Sequence, residues 1–184
     1  DFYFYARARA KSALNDKAGA IEDYRKNVEL DPTDANGLGN LAWDLHRLDQ
    51  SEEAIGILDQ ALKVDPNHSN NYAMRGNIKY WLKDNRGALD DFDKALAIPA
   101  KIADEKAWRS GVHGDAYYDR GWVKFETEGV SSACEDWTKG REIGNANANK
   151  SFNSYCISKE LDDENNDKKD EDVDSPSGYE DLSL

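Results

Sequence analysis

The chain has 184 residues, a formal net charge of −13 and a mean hydropathy of −0.89, which suits one compact domain or one short solenoid. It contains no apolar run long enough to cross a bilayer, so we expect no membrane insertion. The acidic balance disfavours binding to nucleic acid phosphates and to anionic membrane surfaces.

The dominant pattern is a repeat of 34 residues. Ala20, Ala54 and Ala88 are spaced by 34 residues, and Ala133 follows after 45. Twelve residues before each alanine lies a small residue: Ala8, Ala42, Gly76 and Gly121. A period of this size indicates stacked copies of one helical hairpin, each too small to bury its apolar face alone.

Within the repeat, apolar residues recur at helical spacing and a proline ends the second helix. Leu38, Leu41 and Leu45 predict one helix face. Pro32 and Pro66 occupy equivalent positions, and proline cannot continue a helix. We therefore divide the chain into units at 1–34, 35–68, 69–99 and 114–147, an insertion at 100–113, a capping helix at 148–158 and an acidic tail at 159–184.

The segments between and after the units are less regular. The insertion is expected either to lengthen the helix before it or to form a short helix of its own. A capping helix with Ala148, Phe152, Tyr155 and Cys156 on one face is expected to cover the last hairpin. The tail carries eleven Asp or Glu residues against three Lys, so we expect it to be disordered.

The pattern resembles the tetratricopeptide repeat, which has a small residue at position 8, Ala at 20, an aromatic at 24 and Pro at 32. The resemblance covers residues 1–147 and is closest in the second unit, with Ala42, Ala54, Leu58 and Pro66. It implies an all-α fold, a right-handed α-solenoid of about four hairpins and a capping helix. We expect a bacterial-type member of the family.

The resemblance also implies that the first helix of each hairpin lines a concave groove. Aromatic and Arg side chains at groove positions are typical of binding hot spots. We predict a partner-binding groove made of Tyr5, Arg9, Trp43, His46, Arg47, Asn77, Trp81, Tyr118 and Trp122. Phe2, Tyr80 and Phe125 occupy further groove positions. Packing between hairpins is the alternative role for the aromatics, and the favoured one for Tyr80 and Phe125. His46 is expected to titrate near neutral pH.

The family's carboxylate clamp for acidic chaperone peptides does not match this sequence. Its Lys, Asn and Arg positions are occupied here by Tyr5, Arg9, Asn40, Asn70 and Met74, and Asn40 alone agrees. If the clamp is instead assumed to begin in the second unit, Asp115 and Asp119 occupy the two positions where the clamp has Lys and Arg. We therefore expect a partly apolar segment in the groove rather than a chaperone terminus.

Other motifs predict no catalysis, no cofactor and no metal site. Residues 37–42 match a dinucleotide fingerprint, but no strand precedes them. Residues 163–167 begin like a calcium loop, yet Lys168 stands where the loop needs glycine. Cys134 takes the place of an apolar core residue in the other units, and Cys156 lies on the capping helix. We expect two buried thiols, with a disulfide as the alternative.

These features predict a non-catalytic module that binds a partner peptide or helix. The alternatives are a docking or regulatory segment of a larger enzyme, and a scaffold part of a bacterial envelope or secretion assembly. The chain begins at Asp1, so the location stays open between the cytoplasm and, if an N-terminal signal was removed, the periplasm. The oligomeric state also stays open.

Overall fold

The structure is a computed structural model that describes residues 2–99 and 109–157, and all secondary structure in that part of the chain is helical. Its α-helices are α1 (Phe2–Ala13), α2 (Lys17–Leu30), α3 (Ala35–His46), α4 (Ser51–Val64), α5 (Ser69–Trp81), α6 (Asn85–Ala97), α7 (Gly114–Thr127), α8 (Val130–Glu142) and α9 (Ala146–Tyr155). A π-helical turn at Arg109–His113 leads into α7. The predicted insertion is thus described only from residue 109, and the predicted tail at 159–184 lies outside the described residues.

Local sequence sets the helix ends. Side chains that accept hydrogen bonds from first-turn amides cap five of the helices, and they belong to Asp16, Asp34, His68, Asp84 and Asn145. The turns inside the first three hairpins share one shape, because each contains a residue with φ between 62° and 65°: Asn15, Asp49 and Lys83. The 34-residue period is therefore repeated in the backbone as well as in the side chains.

The helices pair into four hairpins, called hairpins 1 to 4 in chain order, and α9 packs on the last one. Ala20, Ala54, Ala88 and Ala133 are all 0% exposed. Close helix contact explains the small residues opposite them. A Cβ atom on Gly121 would lie 2.4 Å from Nε1 of the buried Trp137, so only glycine fits there. The predicted all-α solenoid of helical hairpins is confirmed.

Hairpins 1, 3 and 4 each bury one carboxylate between their two helices. Each carboxylate is held by an Arg and a Lys that lie one helical turn apart on the first helix, and the Arg–Asp distance is 2.6 Å in all three hairpins. We call these groups the ion triads: Arg7–Lys11–Asp23, Arg75–Lys79–Asp91 and Arg120–Lys124–Asp136.

Two of the triads also join neighbouring hairpins. Arg75 binds Asp59 of hairpin 2, and Arg120 binds Asp93 of hairpin 3. Hairpin 2 has no triad, because Leu41, Leu45 and Ile57 occupy its three positions. In the sequence, each triad is visible as an Asp sixteen residues after an Arg, and the prediction from sequence missed this pattern.

The two cysteines form a disulfide, so the expected pair of buried thiols is wrong. Cys134 on α8 and Cys156 just after α9 have Cα atoms 5.8 Å apart, within the range that a disulfide spans. The approach arises because Ala148 and Phe152 bury α9 against hairpin 4. The bond therefore fastens the capping helix to the last hairpin.

Candidate functional site: the groove face

The first helices of successive hairpins lie side by side, with α1 beside α3, α3 beside α5, α5 beside α7 and α7 beside α9. We call the side-chain surface formed by groove positions on α1, α3, α5 and α7 the groove face. Among its predicted members, His46 and Trp81 contact each other across two hairpins, and others reach neighbouring hairpins through residues that were not predicted. The predicted members fall into five groups with different surroundings.

At the N-terminal end, Tyr5 is the central side chain. Its ring packs edge-on against Tyr24, Asn40 donates a hydrogen bond of 3.3 Å to its hydroxyl, and the guanidinium of Arg9 lies 5.8 Å from its ring centroid. Arg9 is exposed. A pocket of about 290 Å³ opens beside Tyr5, and it is lined also by Phe2, Asn27, Asp31, Asp34 and Asn36.

The middle of the groove face is aromatic. The ring of His46 lies 5.7 Å from Trp43 on its own helix and 6.4 Å from Trp81 on α5. Trp81 is 68% exposed, which is unusual for a side chain of this size. Trp43, His46 and Trp81 form what we call the aromatic trio, a ready contact surface for an apolar side chain.

His46 is partly buried on the groove face. Burial lowers the pKa of His46 below its ordinary value of 6.5, although the charge of Asp49 opposes the shift. The imidazole is therefore mainly neutral at pH 7, and its Nδ1 atom pairs with the Ser51 hydroxyl at 2.9 Å. Its role on the groove face is packing rather than charge.

Arg47 lies at the junction of hairpins 1 and 2. Its guanidinium donates to Asp44 at 3.3 Å and to Asn15, in the turn of hairpin 1, at 3.2 Å. Its carbonyl oxygen accepts a hydrogen bond from Lys17. These contacts hold the Arg47 side chain against residues of hairpins 1 and 2.

The groove positions of α5 and α7 meet through polar side chains. Asn77 donates a hydrogen bond of 3.0 Å to Asp119, and the Tyr80 hydroxyl donates one of 2.7 Å to Glu126. Burial raises the pKa of Asp119 to about 6; the Asn77 hydrogen bond opposes this shift, and the charge of Asp115 adds to it. Asp119 and Glu126 were absent from the predicted site, although their groove positions could be read from the repeat register.

The C-terminal end of the groove face is occupied by the protein's own aromatic rings. Trp122 contacts Tyr118, Phe125, Trp137 and Tyr155, with ring centroids between 5.2 and 6.4 Å apart. Tyr155 belongs to α9, so the capping helix reaches over the last groove positions. Trp122 and Phe125 thus serve packing here, as does Tyr118, whose carbonyl oxygen accepts a hydrogen bond from Trp137.

Within residues 2–99 and 109–157, no group of three or more His, Cys, Asp or Glu side chains could hold a metal ion. Across the same described residues, no helix has the length and apolar character needed to cross a membrane. The calcium-like segment at 163–167 lies outside the described residues.

Comparison with known proteins relates part of the chain to one family. Residues 3–34 match the family model described as Tetratricopeptide repeat. RNA polymerase II-associated protein 3 of Xenopus tropicalis is 33% identical over 79 residues, which are 43% of this chain and 12% of that protein. The chain spans 8% to 13% of the length of the curated relatives it matches.

Solved structures share the fold. The crystal structure of MamA protein has a TM-score of 0.66 and 21% identity, and the match covers 97% of each chain. The first TPR of Spaghetti (RPAP3), bound to the HSP90 peptide SRMEEVD, has a TM-score of 0.59 and 16% identity, and the match covers 69% of this chain and 92% of that one. At these identities the likeness shows the fold alone.

The hairpin stack and its groove face define a helical-repeat protein, a class in which protein–protein interaction is the usual role and catalysis is not. More narrowly, residues 3–34 match the tetratricopeptide repeat model, and the hairpin stack has the fold of solved tetratricopeptide repeat structures.

Proposed function

We propose that this chain is a non-catalytic module that binds an extended or helical segment of a partner protein on its groove face. The observation that carries the proposal is the aromatic trio, in which a Trp81 ring that is 68% exposed stands beside His46 and Trp43. Burying one such ring supplies a large part of the free energy of binding at low entropic cost.

The surroundings of the aromatic trio support this choice of site. Trp122 is packed by four other rings, whereas within residues 2–99 and 109–157 the members of the aromatic trio contact no ring outside the trio. A partner segment along α3 and α5 would therefore meet aromatic surface without displacing a core contact. The peptide held by the related Spaghetti structure supports the same kind of ligand, although the clamp residues differ here.

The test is a binding comparison between two truncations of exposed apolar side chains. Trp81→Ala removes the largest exposed ring of the groove face, and Leu30→Ala, at a position 60% exposed on a second helix, is the matched control. We expect Trp81→Ala to weaken capture of the chain's partners at least about tenfold and Leu30→Ala to leave it unchanged. Capture is measured by affinity purification with quantitative mass spectrometry, and circular dichroism checks the fold. Equal capture by Trp81→Ala and wild type would remove the groove face as the site.

The scaffold role in a bacterial envelope or secretion assembly remains the second proposal. The Cys134–Cys156 disulfide favours it, because disulfides persist mainly in oxidising compartments such as the periplasm. The docking or regulatory segment of a larger enzyme has no comparable observation in its favour.

A further inference from the structure

The groove face carries its two signs of charge at opposite ends. Its basic side chains, Arg9 and Arg47, lie on α1 and just after α3, and Arg47 is already paired with Asp44. On α7 the groove positions carry Asp115, Asp119 and Glu126 instead. We call the surface formed by these three carboxylates with Asn77 and Tyr80 of α5 the acidic half-groove.

The acidic half-groove adjoins the exposed ring of the aromatic trio. Asn77, which contacts Asp119, lies one helical turn before Trp81 and so on the same side of α5, and Tyr80, which contacts Glu126, belongs to the same helix. A segment that covers Trp81 therefore also passes the carboxylates of α7. The two features form one continuous surface rather than two separate sites.

Within residues 2–99 and 109–157, no ion pair joins Asp115, Asp119 or Glu126 to a cation, although the Lys83 ammonium lies 5.6 Å from the centroid of the Tyr80 ring. Asp23, Asp91 and Asp136 each bind an Arg and a Lys, whereas the hydrogen bond that Asp119 receives comes from the neutral amide of Asn77. The nearest cations in sequence, Arg120 and Lys124, are held by Asp136. A Lys or Arg side chain of a partner would supply the positive charge that pairs with these carboxylates.

Resting on the proposed function, we infer that the groove face selects a partner segment with Lys or Arg side chains, which lie against Asp119 and Glu126 while an apolar neighbour covers Trp81. Charge complementarity determines this choice of occupant. An acidic peptide, or this chain's own tail with eleven Asp or Glu residues, would face like charge at the same place.

The test uses two short peptides with capped ends and the same apolar residues, one carrying lysines and the other glutamates at the same positions. Each is titrated into wild type and three variants at physiological salt, with binding followed by amide shifts in NMR spectra. The first variant, Asp119→Asn with Glu126→Gln, neutralises the acidic half-groove. The second, Asp90→Asn with Glu135→Gln, removes the same charge from exposed positions on second helices and controls for attraction to an acidic protein. The third is Trp81→Ala.

We expect the lysine peptide to shift amides of α5 and α7, and to bind at least about tenfold more weakly to the groove variant with no change in the control. Equal weakening in both charge variants would overturn the inference, because the attraction would then be unspecific. Equal binding of the glutamate peptide, lost in Trp81→Ala, would overturn it and leave the proposed function standing. Binding of both peptides that is unaffected by Trp81→Ala would count against the proposed function itself.

Discussion

Hairpins 2 and 3 have the same backbone register but fill the same three positions with opposite chemistry. Hairpin 3 places Arg75, Lys79 and Asp91 between its helices, and Asp91 is 1% exposed. Hairpin 2 places Leu41, Leu45 and Ile57 there. Both versions leave the repeat alanines fully buried, so the register does not require either one.

The difference teaches what each solution costs. The three apolar side chains of hairpin 2 need only good packing, whereas an ion triad must offset the free energy of removing its charges from water. The triad gives something else in return: Arg75 reaches across to Asp59 and so fixes hairpin 3 against hairpin 2. Removing one member of a triad and replacing the whole triad should therefore have very different effects.

The largest effect is expected from Asp91→Ala. This change leaves Arg75 and Lys79 facing each other without a carboxylate, and their side chains are only 14% and 21% exposed. We expect a loss of about 2–4 kcal/mol of unfolding free energy, somewhat reduced from a fully buried pair because the cations reach solvent. Urea unfolding followed by circular dichroism measures it. Asp90→Ala, at the exposed neighbouring position, is the control and should change stability by less than about 0.5 kcal/mol.

The second prediction concerns pH. Burial alone would raise the pKa of Asp91, but the hydrogen bonds from Arg75 and Lys79 outweigh it and hold the pKa below the ordinary value of 3.8. A carboxyl group with a lowered folded-state pKa stabilises the protein fully above its unfolded pKa of about 3.9, and this contribution is lost as the pH falls through the folded value.

The stability difference between wild type and Asp91→Ala should therefore be constant from neutral pH to about pH 5 and shrink below about pH 4. Urea unfolding of both proteins across this range measures it. A difference that stays the same at every pH where both still fold would show that the loss in Asp91→Ala is a packing defect rather than a lost ion pair.

The smallest effect is expected from copying hairpin 2 into hairpin 3. The triple variant Arg75→Leu, Lys79→Leu, Asp91→Ile removes all three charges together, so no buried ion is left unpaired. We expect its unfolding free energy to lie within about 1 kcal/mol of wild type, well above that of Asp91→Ala. Differential scanning calorimetry of the three proteins ranks them. A triple variant as unstable as Asp91→Ala would mean that the link from Arg75 to Asp59 dominates.

The hairpin fold could be predicted from sequence because its determinants are local and periodic. Spacing alone located Ala20 and its equivalents, which are buried as expected. The ion triads were also visible as a repeated Arg, Lys and Asp pattern, but a charged residue in a solvated helix looks the same in sequence as one between two helices. Burial of Asp91 becomes evident only when both helices are in place.

The site was less predictable because it depends on contacts between elements far apart in sequence. Trp122 and Trp81 both occupy groove positions. Helix α9 places Tyr155 against Trp122, whereas Trp81 stays exposed. The Cys134–Cys156 pair depends on the same docking of α9. No spacing rule gives the position of that helix, so these outcomes needed the three-dimensional structure.

The disulfide makes the two ends of the stack unequal. Local opening in a linear array starts at its termini, where a repeat has one neighbour instead of two. Cys134 and Cys156 join α8 to the end of α9, whereas hairpin 1 is held to hairpin 2 by non-covalent contacts. Local unfolding should therefore begin at α1 and spread toward α9. The exposed ring of Trp81, on α5, should remain in place after hairpin 1 has opened.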